Sequence, residues 1–246
     1  LYDLGVSDFQ ITLDGVKEEH DRRRSVVFKS FDKIVENIIL INKLGGIVYI
    51  LHVFDESNIN SGKKLVDYFD EISNIHSLSK NTIYFNFVVT IPKKTELVKC
   101  NSYVYGKEKY LTKEGVDNAV YALSKGFNIV NTLEISCCFR QLGNSFLVTP
   151  DLKLYKCYST FGNKKYSIET IENISYNEFA NKYSLEMMYS DGFSKKCEHC
   201  NFVPFCRGGC QFAASEENNG QYGYPFCEKV HMQEQLKGFI LNNIYR

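Results

Sequence analysis

The sequence lacks several features that would assign it at once to a class of protein. Its 29 Lys and Arg residues balance 29 Asp and Glu residues, so no overall positive charge attracts nucleic acid or an anionic lipid surface. No run of about 18 apolar residues is present, which excludes a transmembrane helix, and the first residues do not have the layout of a secretory signal. We therefore expect a cytoplasmic protein that binds neither nucleic acid nor a membrane.

The nine cysteines do not form a typical disulfide framework. Their number is odd, and eight of them lie after residue 136. In a reducing compartment, clustered cysteines are more often metal ligands or redox groups than crosslinks. The chain of 246 residues is long enough for two modest domains, so the cysteines can belong to a domain of their own.

Apolar residues in the first half alternate between strand and helix periods. Strands are predicted at 7–13, 47–53, 82–90 and 127–133, and amphipathic helices at 31–44, 65–75 and 116–123. Strands that are apolar throughout and alternate with helices predict an α/β fold with a parallel sheet covered by helices. Ligands of such sheets bind at the carboxyl ends of the strands, where Asp14, residues 56–60 and residues 91–93 lie.

The second half has a different character. Residues 146–156 predict a β-hairpin with its turn near Pro150, residues 175–183 a short helix, and residues 228–245 a terminal helix. The segment from Cys197 to Cys227 has little apolar periodicity. We expect a bound metal to hold it together.

Five cysteines with short spacings stand in this segment: Cys197, Cys200, Cys206, Cys210 and Cys227. Their neighbours are charged or small, which disfavours a core of buried thiols and favours metal ligation. With Cys137, Cys138 and Cys157 there are eight thiols, enough for two sites of four ligands. Zinc and iron–sulfur clusters both accept such ligands, so the residues alone leave the metal open.

The whole pattern resembles the SPASM domain of radical S-adenosylmethionine (SAM) enzymes. That domain has a cysteine, 9 to 15 residues, a glycine, four residues and a second cysteine, which correspond to Cys138 and Cys157 here. The block Cys-x2-Cys-x5-Cys-x3-Cys and a final cysteine follow, as from Cys197 to Cys227. The stretch Ile11-Thr-Leu-Asp-Gly15, followed by His20-Asp-Arg-Arg-Arg24, is similar to the middle of the radical SAM barrel in peptide- and protein-modifying enzymes.

The resemblance implies a fold and a function. The fold is the C-terminal half of a partial (β/α)6 barrel over residues 1–134, followed by a SPASM domain over residues 135–246 with a small β-hairpin and helices. The function is that of a peptide maturase, an oxidoreductase that modifies a ribosomal precursor peptide. Two auxiliary [4Fe–4S] clusters would serve electron transfer or bind a substrate thiol. The implied partners are the precursor peptide and a reductant such as flavodoxin or ferredoxin.

The resemblance also implies ligand sets. One cluster would take Cys197, Cys200, Cys206 and Cys227. The other would take Cys138, Cys157 and Cys210, with Cys137 as the available fourth ligand or, because neighbouring residues rarely direct both side chains at one cube, an open iron instead.

The resemblance implies two contacts between this chain and SAM. Thr12 would bond the ribose or the amino acid portion, and Arg24 would pair with the carboxylate. No residue is assigned as catalytic. Cys100 is isolated and is expected to be a buried thiol, His20 is expected to be structural, and His199 is expected to be exposed.

Three departures from the family pattern matter. Leu152 stands where the family usually has glycine, and Tyr158 stands where sulfatase-maturating enzymes tend to have an aspartate base. No Cys-x3-Cys-x2-Cys occurs, so this chain alone is expected not to cleave SAM, and SAM with a third [4Fe–4S] cluster would belong only to the complete enzyme. We expect the chain to start near the fourth barrel strand.

The alternatives to a peptide maturase are a non-catalytic SPASM partner, a sulfatase-maturating-type oxidase and a zinc-stabilised α/β protein.

Overall fold

Parallel strands and amphipathic helices alternate along the first half of the chain in the computed structural model. The structure describes residues 4–24, 29–92, 103–105, 109–130, 146–168, 170–172, 197–206, 208–210, 212–214, 225–227 and 229–244. The elements up to residue 130 are β1 (Asp8–Thr12), α1 (Lys17–Arg24), α2 (Phe31–Lys43), β2 (Ile47–Phe54), α3 (Ser61–His76), β3 (Ile83–Pro92), β4 (Tyr103–Tyr105), α4 (Lys109–Ser124) and β5 (Asn128–Ile129). Single 3-10 turns, Glu56–Asn58 and Lys80–Thr82, precede α3 and β3.

The strands form one sheet in the order β1-β2-β3-β4, with β5 also paired to β3. The pairs β1–β2, β2–β3 and β3–β5 are parallel. The register aligns Thr12, Leu51 and Asn86 in one row across three strands. The predicted α/β class with a parallel sheet is confirmed.

The core lies between this sheet and the helices. Alternate strand residues such as Val48, Ile50 and Phe85 are fully buried, and they belong to one cluster with Ile38 of α2 and Phe69 of α3. Helix positions three and four residues apart share a face, so the apolar spacing of α2 and α3 places a continuous stripe on the sheet. This layer fixes the ends of the strands, where the polar residues are concentrated.

Helix α2 begins at the predicted residue, and its N-terminus is capped from a distant position. Ser30 is the N-cap residue, yet its side chain makes no capping bond. The Asp21 carboxylate accepts the backbone N–H groups of Ser30 (3.0 Å) and Phe31 (3.1 Å) instead. A carboxylate at a helix N-terminus satisfies free donors and favours the helix dipole.

The described residues of the later part of the chain include a two-stranded antiparallel sheet and two further α-helices. Strands β6 (Leu147–Val148) and β7 (Leu154–Tyr155) form the predicted hairpin. The helices are the single turn α5 (Val203–Cys206) and the predicted terminal helix α6 (Lys229–Ile244). The helix predicted at 175–183 lies outside the described residues. Among the described helices, none has both the length and the apolar character needed to cross a membrane.

The hairpin turn contains a residue in an unusual conformation. Leu152 has φ +59°, in the left-handed region that favours glycine, and its N–H donates to the carbonyl of Thr149 at 2.8 Å. This is the position at which the SPASM pattern usually has glycine. The backbone conformation is present here although the side chain is leucine.

The chain divides into two compact units. The first unit comprises Leu1–Ile91, Val104–Thr132 and Gln233–Arg246, and the second comprises Pro92–Tyr103 and Leu133–Met232. The predicted functional domains, 1–134 and 135–246, remain a prediction.

Candidate functional sites

The first candidate site lies in the first unit, where β1 and β2 end. Thr12 is the last residue of β1 and is half-buried beside its register partner Leu51. Asp14 follows two residues later and is buried. Gly15 has φ +156°, and a Cβ built there would lie 2.9 Å from Glu19, so the chain turns tightly into α1.

Two arginines from the end of α1 meet two carboxylates at this edge. Arg24 donates to Asp14 through Nε (2.7 Å) and Nη2 (3.1 Å). Arg23 donates to Asp55, which follows β2, through Nη1 (3.3 Å) and Nη2 (3.0 Å), and to the Ser57 hydroxyl at 2.7 Å. Bidentate pairs of this kind fix the direction of a guanidinium as well as its position.

The electrostatics of the Arg23–Asp55 pair follow from partial burial. Burial opposes both charges, but the hydrogen bonds between Arg23 and Asp55 outweigh it. The pKa of Arg23 is therefore raised, and the pKa of Asp55 is held below its usual range, with help from the Ser57 bonds. Both groups stay charged at neutral pH.

A buried hydrogen-bond network, which sequence reasoning missed, lies beneath the loop after β1. It consists of His52 of β2, Asn58 and Ser61, and we call it the His52 network. His52 is fully buried, with Nδ1 3.0 Å from the carbonyl of Leu13 and Nε2 3.1 Å from the Ser61 hydroxyl. Burial lowers the pKa of His52 to about 4, so its imidazole is neutral at pH 7.

His20 occupies the other side of the same loop. The Asp14 N–H donates to His20 Nδ1 at 3.3 Å, and His20 Nε2 lies 3.1 Å from the Ser30 hydroxyl. Because Nδ1 accepts a hydrogen bond, the proton of the neutral ring is on Nε2. Burial lowers the pKa of His20, and these contacts are those of a structural residue, as the sequence led us to expect.

The second candidate site is the cysteine segment of the second unit. Backbone bonds fold it into short turns: the Cys200 N–H donates to the Cys197 carbonyl at 3.1 Å, and the Gly209 N–H donates to the Cys206 carbonyl at 2.8 Å. The Ala213 N–H points at the sulfur of Cys210 at 3.5 Å. The described cysteines also include Cys157 and Cys227.

A close backbone contact brings the distant Cys227 to this segment. The N–H of Phe226 donates to the carbonyl of Gly208 at 2.8 Å. Gly209 has φ +74°, and a Cβ built there would lie 2.0 Å from the carbonyl oxygen of Phe226, so only glycine fits this approach. The residue before Cys227 is thereby tied to the loop between Cys206 and Cys210.

Some predicted ligands are not part of this geometry. Cys137 and Cys138, together with the unassigned Cys100, lie outside the described residues. Across the described part of the chain, no three His, Cys, Asp or Glu side chains are grouped closely enough to hold a metal ion. His199 is exposed, as expected. The assignment of ligands to clusters remains a prediction.

No protein-family model matches the chain, and no curated protein matches it in sequence. Solved structures do match. The chain is similar to anSMEcpe, an anaerobic sulfatase-maturating enzyme, in its complex with AdoMet and the Cp18Cys peptide: the TM-score is 0.66 at 17% identity, over 97% of this chain and 70% of that one. It is also similar to SuiB of Streptococcus suis bound to S-adenosylmethionine, with a TM-score of 0.55 at 13% identity, over 89% of this chain and 53% of that one.

Both of these proteins are radical SAM enzymes, and anSMEcpe has a SPASM domain. At sequence identities of 17% and 13%, the similarity to these two structures is a similarity of fold. It confirms, at that level, the resemblance drawn from the cysteine spacing and the barrel motif.

Proposed function

We propose that this chain, whose fold is similar to that of solved radical SAM enzymes, is the C-terminal part of a radical SAM peptide maturase. The observation that carries the proposal is a coincidence of two independent features. The fold matches such enzymes over 97% of the chain, and the cysteine spacing of the SPASM pattern is present in the same sequence. SuiB modifies ribosomal peptides and anSMEcpe has been crystallised with peptides, which supports a precursor peptide as the substrate.

The donor set is suited to the auxiliary clusters. All the described donors are thiols, and thiolates are the ligands that iron–sulfur clusters prefer. The contact of Phe226 with Gly208 and Gly209 draws Cys227 toward Cys206, with which it would share a cluster. Cys197 and Cys200 would complete this cluster, and Cys157 and Cys210 would bind the other with Cys138 and Cys137.

The chemistry that bound SAM and its clusters would supply to the complete enzyme is hydrogen abstraction from the peptide, followed by electron transfer or binding of a substrate thiol. The residues of this chain would bind and orient. Arg24, whose side chain is 45% exposed, would meet the carboxylate of SAM while Asp14 holds its guanidinium. Thr12 would donate from its hydroxyl at the end of β1. Fixed donors of this kind reduce the entropy lost when a ligand is positioned.

Tyr158 favours peptide maturation over sulfatase maturation. It lies directly after Cys157, where sulfatase-maturating enzymes tend to have an aspartate base, and its side chain is 66% exposed. A phenol is not a carboxylate base. In the proposal the protein works in the cytoplasm with a reductant such as flavodoxin or ferredoxin.

A second candidate is a non-catalytic SPASM partner that delivers a peptide or electrons to another subunit. The sequence feature that favours it is the lack of Cys-x3-Cys-x2-Cys. The coding sequence upstream of Leu1 separates the two. That cysteine motif in the same reading frame supports the maturase, and a start codon close to Leu1 supports the partner.

Anaerobic reconstitution with iron and sulfide tests the clusters. We expect about eight irons per chain and broad absorption near about 400 nm. Cys206→Ser should reduce the iron content to about half, because it removes a ligand of one cluster, whereas Cys100→Ser should leave it unchanged. Stoichiometric zinc with no iron, or equal loss of iron in both variants, would overturn the proposal.

A further inference from the structure

Three buried side chains hold the loop that follows β1. Asn58 Nδ2 donates to the carbonyl of Asp14 at 2.7 Å, and the Ser61 hydroxyl lies 3.3 Å from the same oxygen. His52 Nδ1 is 3.0 Å from the carbonyl of Leu13. Two consecutive carbonyls of one loop are thus occupied by side chains from outside it.

The proton positions in this network follow from whether each atom can donate or only accept a hydrogen bond. A carbonyl oxygen only accepts, so the proton of the neutral His52 ring must be on Nδ1, where it is donated to Leu13. Nε2 is then an acceptor, 3.1 Å from the Ser61 hydroxyl, and the single proton of that hydroxyl also faces the closer Asn58 carbonyl at 2.6 Å. Since His52 is fully buried and Ser61 nearly so, water cannot replace a lost partner.

The loop held in this way carries the ion pair of the first candidate site. The Asp14 carboxylate has 4% exposure and accepts both bonds from Arg24, which is 45% exposed. The direction of the exposed guanidinium therefore depends on Asp14, and the backbone of Asp14 depends on the His52 network. Arg23 reinforces the arrangement, since its Nε lies 3.8 Å from the same carboxylate.

We propose that His52, Ser61 and Asn58 are positioning residues that fix the Asp14–Arg24 ion pair so that the exposed guanidinium meets a ligand carboxylate at the end of β1. This inference rests on the proposed function, in which that carboxylate belongs to SAM. None of the three residues needs to touch the ligand. They act through the carbonyls of Leu13 and Asp14.

The test uses the full chain and the NMR signal of the Arg24 Nε–H, whose exchange with water is slowed by its bond to Asp14. His52→Phe keeps a ring but cannot bond Leu13. Ser61→Ala removes the hydroxyl that lies 3.1 Å from His52 Nε2 and donates to the Asn58 carbonyl at 2.6 Å. We expect exchange of the Arg24 proton to accelerate about tenfold in both variants, as for the loss of a buried hydrogen bond. His52→Asn should restore part of the protection, because an Asn amide can still donate to the Leu13 carbonyl.

Asn42→Ala is the matched control. Asn42 is also buried and also holds a loop, through bonds of 2.9 Å to the Ser79 carbonyl and the Thr82 hydroxyl, but it lies near the amino ends of β2 and β3. This variant should lose stability without accelerating exchange at Arg24. Equal acceleration in Asn42→Ala and His52→Phe would mean that the network is merely structural and would overturn the inference, as would unchanged exchange in His52→Phe.

Titration with SAM separates this inference from the proposed function. In the complete enzyme, which the proposed function requires for SAM binding, we expect SAM to shift the wild-type Arg24 signal, with about tenfold weaker affinity in His52→Phe. If SAM shifts the signal with equal affinity in both proteins, the positioning role is wrong and the role of Arg24 stands. If SAM leaves the wild-type signal unmoved, the role of Arg24 in SAM binding is wrong, and the exchange comparison still decides whether the network holds the ion pair.

Discussion

In the first unit, the polar site rests on side chains that are buried in a layered core, whereas in the second unit the cysteine segment is held by backbone bonds in short turns. The carbonyls of Leu13 and Asp14 are joined to the core through His52 of β2 and Asn58 of the turn before α3. Cys206 and Cys227 are joined through Gly208 and Phe226. The first unit can therefore form its site without a ligand. In the second unit, metal binding by the cysteine segment would supply part of the folding free energy.

The largest effect is expected when the backbone contact between Gly209 and Phe226 in the second unit is blocked. Gly209→Ala would place a Cβ 2.0 Å from the carbonyl oxygen of Phe226, in a backbone conformation with φ +74°. We expect a loss of about 3 kcal/mol or more in the free energy of unfolding, from the steric overlap and the left-handed backbone together. Urea denaturation measures the loss, and iron content after reconstitution should fall with it.

Gly162→Ala is the control for that experiment. Gly162 has a similar φ of +79°, but nothing lies within 4 Å of a Cβ built there. Only the backbone cost of about 1 kcal/mol should remain, with no loss of iron. Equal effects at the two glycines would show that the contact with Phe226 does not matter.

The next largest effect concerns the first unit and depends on pH. The pKa of His52 falls from 6.5 in the unfolded chain to about 4 in the folded one, so the unfolded state binds the extra proton between these values. The free energy of unfolding should therefore decrease as the pH falls from 6.5 to about 4, by roughly 3 kcal/mol at 1.36 kcal/mol per pH unit. Urea denaturation at several pH values measures this slope.

His52→Phe should remove most of the slope. The charges that act on His52 are Asp14 and Glu19, which favour its protonated form, and Arg23, which opposes it, but burial outweighs them all. His20 should leave a smaller slope of the same sign, since burial lowers its pKa as well. A wild-type stability that is flat from pH 7 to pH 4.5 would contradict the burial of a neutral imidazole.

A third variant removes an unsatisfied polar group from the core of the first unit. Asn118 of α4 is fully buried against Gly62 of α3, and neither amide atom has a hydrogen-bond partner among the described residues. Asn118→Leu should raise the free energy of unfolding by about 1–2 kcal/mol, because an unsatisfied polar group is replaced by an apolar one of similar size. Asn42→Leu, which breaks satisfied bonds, should lower it. Destabilisation by both would argue that Asn118 is satisfied in solution.

The smallest expected effect is in the hairpin of the second unit. Leu152→Gly removes the steric cost of φ +59° but adds freedom to the unfolded chain, so we expect a gain of at most about 1 kcal/mol. The thermal midpoint should rise slightly. Lys153→Gly, at the neighbouring position without positive φ, should lower it. A loss in both variants would mean that the packing of Leu152 outweighs its backbone strain.

The periodic elements were predictable from the sequence, and the contacts between them were less so. Helix α2 and strands β2 and β3 follow directly from apolar spacing. Helix α4 starts at Lys109 rather than near Val116, because Leu111 is the one large apolar residue that its first turns bury among the described side chains, and Thr112 and Gly115 give no apolar signal at the next positions of that face. The backbone N–H of Ser30, at the start of α2, is bonded by Asp21, which lies nine residues earlier and follows no local capping rule.

The same limit applies to the first candidate site. Arg24 and Asp14 were identified from a motif in one short stretch. Arg23 and Asp55 are 32 residues apart, and Ser61 is 47 residues from Asp14, so these contacts depend on the parallel register of the sheet. Sequence spacing carries no signal for such pairs. The deviation at Leu152, by contrast, was visible in the sequence, and the backbone there keeps the conformation suited to glycine.

The bond between Phe226 and Gly208 has a consequence for evolutionary divergence. It joins two backbone atoms, so the bond itself does not depend on side-chain chemistry, and the residues restricted in conformation are Gly208 (φ +87°) and Gly209 (φ +74°). A connection made in this way can be inherited while the surrounding sequence drifts. The chain can therefore diverge around these residues and still keep Cys227 beside the loop that would share its metal.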